Sequence, residues 1–239
     1  MRSGDPSATV TNLYDMVAGA RGLLGDQLPV EERTVLAGRA LEVMYADLHF
    51  EIVPDSGRGV EPMELVPYDP AWPVRFQEWR ARLAPVLESS ARRIDHVGST
   101  SVPGLAAKPV IDIQVSMADL QDEAGYVPMI ESLGVQLRSR DDEQRYFRPF
   151  PGRPRDVHIH ACVAGSTWER RHLLFVAFLR DDVTARVDYL QAKQIAMARW
   201  VDDRVAYTQA KDDVIRDITA RAEEWAARVG WTPEASGRP

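Results

Sequence analysis

Two segments in the middle of the chain alternate between apolar and polar residues with the period of a β-strand. Residues 110–117 and 156–163 each form one apolar face, made by Ile111, Ile113, Val115 and Met117 in the first and by Val157, Ile159, Ala161 and Val163 in the second. The opposite faces carry Asp112 and Gln114 in the first segment, and Asp156, His158 and His160 in the second. A carboxylate at the centre of an apolar strand requires compensation. We therefore expect the two strands to pair and to bring Asp112 close to both histidines.

Apolar residues spaced by three and four positions predict helices on both sides of these strands. The predicted helices cover 10–50 as a hairpin, 73–90, 120–133, 166–179, 184–200 and 203–229, and Pro85 is expected to kink or split the second of these. Further strands are predicted at 63–66, 92–97, 135–138 and 145–150. Residues 54–61 contain Pro, Gly and Ser and indicate a linker. The predicted organisation is a helical extension with linker over 1–62, an α/β domain with a small mixed sheet flanked by helices over 63–231, and a flexible tail over 232–239.

Composition narrows the classes of function. A net charge of −7 argues against a general nucleic-acid coating role, although a local basic pocket remains compatible with it. The single cysteine, Cys162, excludes an internal disulfide and indicates a reducing compartment. We find no membrane-spanning run and no signal peptide, so we expect a cytoplasmic protein. The N-terminal hairpin is interpreted as a packing or homodimerisation element, with a lid or partner-docking element as the alternative.

A run of small residues before the first strand is the candidate phosphate site. Gly98 allows a close approach of backbone to a ligand, and the hydroxyls of Ser99 and Thr100 are suited to phosphate oxygens. An ordinary turn is the alternative. Arginines concentrated before the histidine strand favour a phosphate-bearing ligand or form a solvated hairpin rim; they are Arg145, Arg148, Arg153 and Arg155.

The segment from His96 to Ile113 resembles the signature of the GrpB family, and residues 66–73, 145–148, 158–160 and 207–211 are similar to other parts of that family. The resemblance covers roughly residues 64–229 and implies a nucleotidyltransferase fold. The wider superfamily marks its active site with Gly-Ser followed by Asp-x-Asp or Asp-x-Glu. This chain departs from that pattern, because Gln114 stands two positions after Asp112. An amide brings no charge, which puts two-metal catalysis in doubt.

The resemblance implies a metal-dependent nucleotidyltransferase that moves a nucleoside monophosphate from an NTP to an unidentified acceptor. Asp112, His158 and His160 are the expected catalytic residues, and with Gln114 they are the expected ligands of Mg²⁺ or Mn²⁺, ahead of Zn²⁺. The expected phosphate-binding residues are Gly98, Ser99, Thr100, Lys108, Arg145, Arg148 and Lys211. A non-catalytic binding or folding-helper module is the alternative, and a His/Asp metal-dependent phosphoester hydrolase is a further one.

Overall fold

The computed structural model describes residues 9–44, 51–52 and 63–233. Its centre is a six-stranded mixed sheet with the order β1-β4-β5-β6-β3-β2. The strands are β1 (Glu51–Ile52), β2 (Ala91–Val97), β3 (Ile111–Met117), β4 (Val135–Arg140), β5 (Gln144–Pro149) and β6 (Val157–Val163). The helices are α1 (Val10–Gly19), α2 (Val30–Met44), α3 (Trp72–Val86), α4 (Glu123–Glu131), α5 (Thr167–Asp181), α6 (Val183–Arg199), α7 (Arg204–Gln209) and α8 (Asp212–Val229). The α/β class with a mixed sheet flanked by helices is confirmed.

The two alternating segments are neighbours in the sheet. Strands β3 and β6 pair in parallel, with Asp112 opposite His158 and Gln114 opposite His160. Strand β2 lies antiparallel on the other side of β3. The expected adjacency of the carboxylate and the histidines is confirmed, and it follows from the shared two-residue period of the strands.

The two faces of the sheet have different partners. The apolar face packs against α3 and α4 in a core whose largest side chains include Trp72, Phe76 and Tyr126. The other face lies under the helices after β6, where Val97 joins a second core with Leu174, Phe178 and Ile218. Polar groups of β3 and β6 are therefore held between the sheet and the C-terminal helices, away from the main core.

Several predicted boundaries differ from the structure. Helix α3 ends at Val86, so Pro85 lies in its last turn and neither kinks nor splits a longer helix. The long helix predicted over 203–229 is two helices: Asp203 caps α7 through Val205 and Ala206, and α8 begins again at Asp212. The strand predicted at 63–66 is a single bridge between Val66 and Ala107.

The N-terminal hairpin is present as α1 and α2, while the predicted end of its second helix at 45–50, the linker at 54–61 and the tail beyond 233 lie outside the described residues. Glu51 and Ile52, not predicted as a strand, pair with Arg140 and Ser139 at the edge of the sheet. No helix in the described part of the chain combines the length and apolarity that crossing a bilayer demands.

Candidate functional site

The glycine-serine turn lies directly against Asp112. Gly98 has φ of +67°, and a Cβ built on it would lie 2.8 Å from the Cβ of Asp112. Only glycine fits this position, since other residues would meet both backbone strain and a clash. Ser99, Thr100 and Ser101 follow as a short 3-10 helix. The turn thus places three hydroxyl residues next to the glycine that contacts the Asp112 carboxylate.

Hydrogen bonds of Thr100 and ring packing of His96 hold the turn in place. The Thr100 hydroxyl donates to the carbonyl oxygen of Val110 at 3.2 Å and lies 3.0 Å from Nε2 of His96. The His96 ring stacks on Phe76 with 4.8 Å between ring centroids. Burial lowers the pKa of His96 to about 4, so the ring is neutral near pH 7. His96 therefore acts as a support for the turn.

Asp112 is held by a hydrogen-bonded pair of side chains. The Nε–H of Arg155 donates to Nε2 of His158 at 3.1 Å, and Nδ1 of His158 lies 3.1 Å from Oδ1 of Asp112. Because Nε2 accepts a hydrogen bond, the proton of the neutral ring is on Nδ1 and is donated to Asp112. Burial acts to raise the pKa of Asp112, but the His158 hydrogen bond and the nearby cationic groups outweigh it and lower the pKa. Asp112 is therefore an ionised, oriented carboxylate, and its side chain is 29% exposed.

His160 belongs to a neighbouring aromatic cluster. Its Nδ1 lies 3.2 Å from Oε1 of Gln144, and its ring centroid is 5.1 Å from Tyr146 and 5.8 Å from Trp168. Burial lowers its pKa to about 4. Gln114 beside it is fully buried, and neither polar atom of its side chain has a hydrogen-bond partner among the described residues. His160 and Gln114 form the floor next to the Asp112 pair.

One of the predicted metal ligands, His158, is engaged with its neighbours. Both ring nitrogens of His158 already take part in hydrogen bonds, one to Asp112 and one to Arg155. Within residues 9–44, 51–52 and 63–233, no three His, Cys, Asp or Glu side chains converge as metal ligands do. Asp112, Gln114, His158 and His160 as ligands of a metal ion therefore stay a prediction.

Lysine side chains surround the other side of Asp112. The sequence contains only three lysines among its 29 Lys and Arg residues, namely Lys108, Lys193 and Lys211, and all three come together here. The amines of Lys108 and Lys211 lie 4.6 Å and 4.3 Å from the centroid of the Tyr207 ring. Lys193 donates to the carbonyl oxygen of Ala106 and lies 5.1 Å from the Tyr189 ring. We call these three residues the lysine pocket.

The lysine pocket concentrates positive charge in a buried place. Lys193 and Lys211 are 2% and 8% exposed. Burial, with repulsion from the other lysines as a second cause, lowers the pKa of Lys108 and Lys193 to about 7, and burial lowers that of Lys211 to about 8. Asp112 is the carboxylate whose charge acts on all three, and Asp212 acts on Lys211 as well, so two carboxylates face three amines. The pocket is therefore short of negative charge, which is the condition of an anion site.

The structure separates the predicted phosphate-binding residues into two groups. Lys108 and Lys211 lie near Asp112, and the Ser99 hydroxyl shares a hydrogen bond with Tyr189. Arg148 lies on the same face of β5 as Tyr146, whose pKa is raised by burial, and the Arg148 charge partly opposes that rise.

Arg145 is not brought to the site. It alternates with Tyr146 along β5 and points to the opposite face of the sheet, where its guanidinium pairs with Glu123 at 2.5 Å and donates to the carbonyl oxygens of Asp141 and Gln144. Its expected phosphate contact is therefore replaced by a structural ion pair with α4.

Sequence reasoning missed Lys193, Tyr189 and Tyr207, and it identified Arg155 only as one member of a basic cluster. One signal was available: a chain that uses arginine for nearly all its cations keeps lysine at three positions. Helical spacing alone marks Tyr189 and Tyr207 as core residues, and nothing in it connects them to residues a hundred positions earlier.

Comparison with known proteins adds the family context. The family model described as GrpB protein matches residues 62–221. The UPF0157 protein of Halalkalibacterium halodurans is 38% identical over 159 residues, covering 66% of this chain and 81% of that protein. A dephospho-CoA kinase of Mycolicibacterium paratuberculosis is 38% identical over 201 residues, covering 72% of this chain but only 49% of the kinase. The crystal structure of the conserved protein GrpB from Enterococcus faecalis superposes with a TM-score of 0.61 at 29% identity, covering 68% of this chain and 99% of that one.

Proposed function

This chain belongs to the GrpB family, and we propose that it binds a phosphate-bearing small molecule of the nucleotide type in the lysine pocket. The observation that carries the proposal is the convergence of every lysine in the sequence around Tyr207 and Asp112. Relatives named dephospho-CoA kinase, an activity that uses a nucleotide, agree with a ligand of this class.

Burying the three lysine amines close to one another is unfavourable for folding when no anion is bound. Buried ammonium groups that repel each other destabilise the folded chain unless an anion compensates them. Asp112 supplies one negative charge, and it already accepts a hydrogen bond from His158. A ligand with two or more phosphate groups would supply the remaining charge, and Arg155 would extend the contact on the far side of Asp112.

Calorimetric titration with inorganic pyrophosphate and with ATP, each in the presence of EDTA, tests binding to the protein itself. We expect saturable binding that Lys211→Met weakens about tenfold or more, since each buried charge-assisted hydrogen bond contributes roughly 1.5–3 kcal/mol. The matched control is Arg216→Met, which removes a cation that is 54% exposed and paired with Asp213. Equal affinity for wild type and Lys211→Met, or no binding of either anion, would refute the proposal.

A second measurement uses the rarity of lysine in this chain. Reductive methylation of amines followed by peptide mapping reports only the lysine pocket and the N-terminus, because the sequence has no other lysine. Pyrophosphate is expected to protect Lys108, the most accessible of the three. Methylation of Lys108 at the same rate with and without pyrophosphate would contradict binding at this place.

Transfer of a nucleotidyl group is a second candidate function, favoured by the Asp112–His158 pair beside the glycine-serine turn. In this scheme Mg²⁺ enters with the NTP, and Asp112 takes the proton of an acceptor hydroxyl while that oxygen bonds the α-phosphorus and pyrophosphate leaves. His158 holds the carboxylate through its Nδ1–H. The lysine pocket stabilises the charge of the departing pyrophosphate.

An assay for transfer uses α-³²P-labelled NTPs with Mg²⁺ and a deproteinised cell extract as the acceptor pool. A new labelled product that Asp112→Asn abolishes, without loss of pyrophosphate binding, is the expected result. Absence of any product that depends on Asp112 would refute transfer of a nucleotidyl group.

A further inference from the structure

The N-terminal hairpin contacts the segment that carries the lysine pocket, although the GrpB family model begins only at residue 62. Helix α1 packs against α7, and the Tyr14 ring lies tilted against the Trp200 ring with 5.7 Å between centroids. Val10, Tyr14 and Ala18 share a buried core with Trp200, Ala206 and Tyr207. The ring that supports two of the three lysines is thus part of the interface with the hairpin.

Polar contacts fix this interface at two neighbouring carboxylates, Asp202 and Asp203. The Arg33 side chain is 3% exposed, makes two hydrogen bonds to Asp202 at 2.8 Å and 3.2 Å, and lies 3.5 Å from Oδ2 of Asp203. The Tyr14 hydroxyl, which has a single proton, lies 2.8 Å from the carbonyl oxygen of Arg33 and 3.1 Å from the same Oδ2. A buried cation and a phenol from the hairpin therefore hold one oxygen of Asp203.

The other carboxylate oxygen of Asp203 caps the N-terminus of helix α7. Oδ1 accepts hydrogen bonds from the backbone N–H groups of Val205 and Ala206. At the end of the same helix, the side-chain oxygen of Gln209 accepts from the N–H of Val10 at 2.6 Å. Both ends of α7 are consequently tied to the hairpin, and Tyr207 lies between them.

We infer that residues 10–44 position Tyr207 and Lys211, and so set the anion affinity of the lysine pocket, with Arg33 and Tyr14 as positioning residues. The inference rests on the proposed function. Helix α7 has only 6 residues and cannot be stable alone, so its placement depends on its contacts. Lys211 stands between the end of α7, capped by Ala210, and the start of α8 at Asp212. The hairpin acts on the ligand without touching it.

The test measures the dissociation constant of inorganic pyrophosphate by calorimetry for full-length variants, with thermal unfolding as a check of folding. We expect Arg33→Met to weaken binding about fivefold or more, a typical size for coupling between separate sites. Tyr14→Phe keeps the ring packing, loses only the hydroxyl, and is expected to weaken binding in the same direction. Arg21→Met is the matched control, because Arg21 pairs with Glu32 inside the hairpin and does not reach α7.

A double-mutant cycle separates positioning from general loss of structure. In a Lys211→Met background, Arg33→Met should cause clearly less further loss of affinity, because both changes act through the same contact. Equal losses in both backgrounds would refute the inference, as would unchanged affinity in both Arg33→Met and Tyr14→Phe. If the wild-type protein does not bind pyrophosphate, the proposed function is refuted. If it binds pyrophosphate and the hairpin variants bind with the same affinity, only the role of the hairpin is refuted. Should Arg33→Met not fold, Tyr14→Phe decides.

Discussion

Replacing Lys193 by methionine should make the protein more stable and a poorer binder of anions. Burial, with repulsion from Lys211 and Lys108 as the lesser cause, lowers the pKa of Lys193 from the ordinary 10.5 to about 7. Because one pKa unit corresponds to about 1.4 kcal/mol, the lysine charge opposes folding at pH 7 by roughly 4 kcal/mol. The hydrogen bond to Ala106 and the contact with Tyr189 return roughly 1–3 kcal/mol of this. Methionine fills a similar volume without the charge, so we expect a net gain of roughly 1–3 kcal/mol.

The pH dependence has a definite sign. A lysine whose folded pKa is depressed binds fewer protons in the folded state than in the unfolded state between about pH 7 and pH 10.5, so wild-type stability rises with pH across that window. Lys193→Met lacks this component, and its advantage over wild type should shrink as pH rises. Urea unfolding at pH 7 and pH 9 measures the free energies, and calorimetry with pyrophosphate measures the expected loss of affinity, about tenfold.

Lys193→Arg provides the contrast, because arginine keeps its charge throughout this range. It should be less stable than wild type at both pH values. If Lys193→Met is destabilised at pH 7 while pyrophosphate affinity is unchanged, the interpretation of this side chain as an uncompensated cation kept for a ligand is wrong.

Three further predictions follow from the site. Gly98→Ala should cost roughly 2–4 kcal/mol in urea unfolding and weaken pyrophosphate binding, because the backbone has positive φ and the new methyl meets Asp112; a near-neutral result would mean that the turn does not press on the carboxylate. Arg145→Met should lower unfolding free energy by roughly 2–4 kcal/mol through loss of its pairing with Glu123, yet leave pyrophosphate affinity within twofold, roughly the calorimetric error; a tenfold loss of affinity would place it in the site after all. Pyrophosphate should bind more weakly at pH 9 than at pH 7, and its binding at pH 8 should be accompanied by proton uptake, because the lysines have pKa values of about 7 to 8 and must be charged to hold the anion. Calorimetry in two buffers of different ionisation enthalpy measures this uptake. Binding without proton uptake would contradict the lysine pocket as the anion site.

The parts of the site that were predicted from the sequence depend on patterns that repeat over a few residues. Alternation in β3 and β6 was enough to predict that Asp112 lies near His158 and His160, because pairing puts the polar faces of the two strands on the same side of the sheet. The parallel direction and the register that sets Asp112 opposite His158 come from the structure, since a shift of two residues would keep the same faces. The start of the helix predicted over 166–179 depends on local contacts as well, because the Ser166 hydroxyl accepts a hydrogen bond from the N–H of Glu169 and caps the helix.

The same period explains the error at Arg145. Arg145 and Arg148 are an odd number of positions apart in one strand, so they point to opposite faces of the sheet, and grouping them as one basic cluster ignored that rule. The lysine pocket was not predicted from the sequence, for a different reason. Lys108 precedes β3, Lys193 lies in α6 and Lys211 precedes α8. Only tertiary packing of the helices brings them together, and no local pattern encodes it.

The acidic composition and the cationic pocket are compatible because they act at different distances. A net charge of −7 repels anions from afar, but at physiological ionic strength that field decays within about 8 Å. Three amines within reach of one another inside a low-dielectric pocket act on a phosphate at contact, where screening is weak. A bound nucleic acid would place many of its phosphates next to the acidic surface, where they would be repelled. A small ligand would place all of its negative charge inside the lysine pocket. The charge distribution therefore favours a small phosphate-bearing molecule over a polymer, and it does so through the same lysines whose burial destabilises the empty protein.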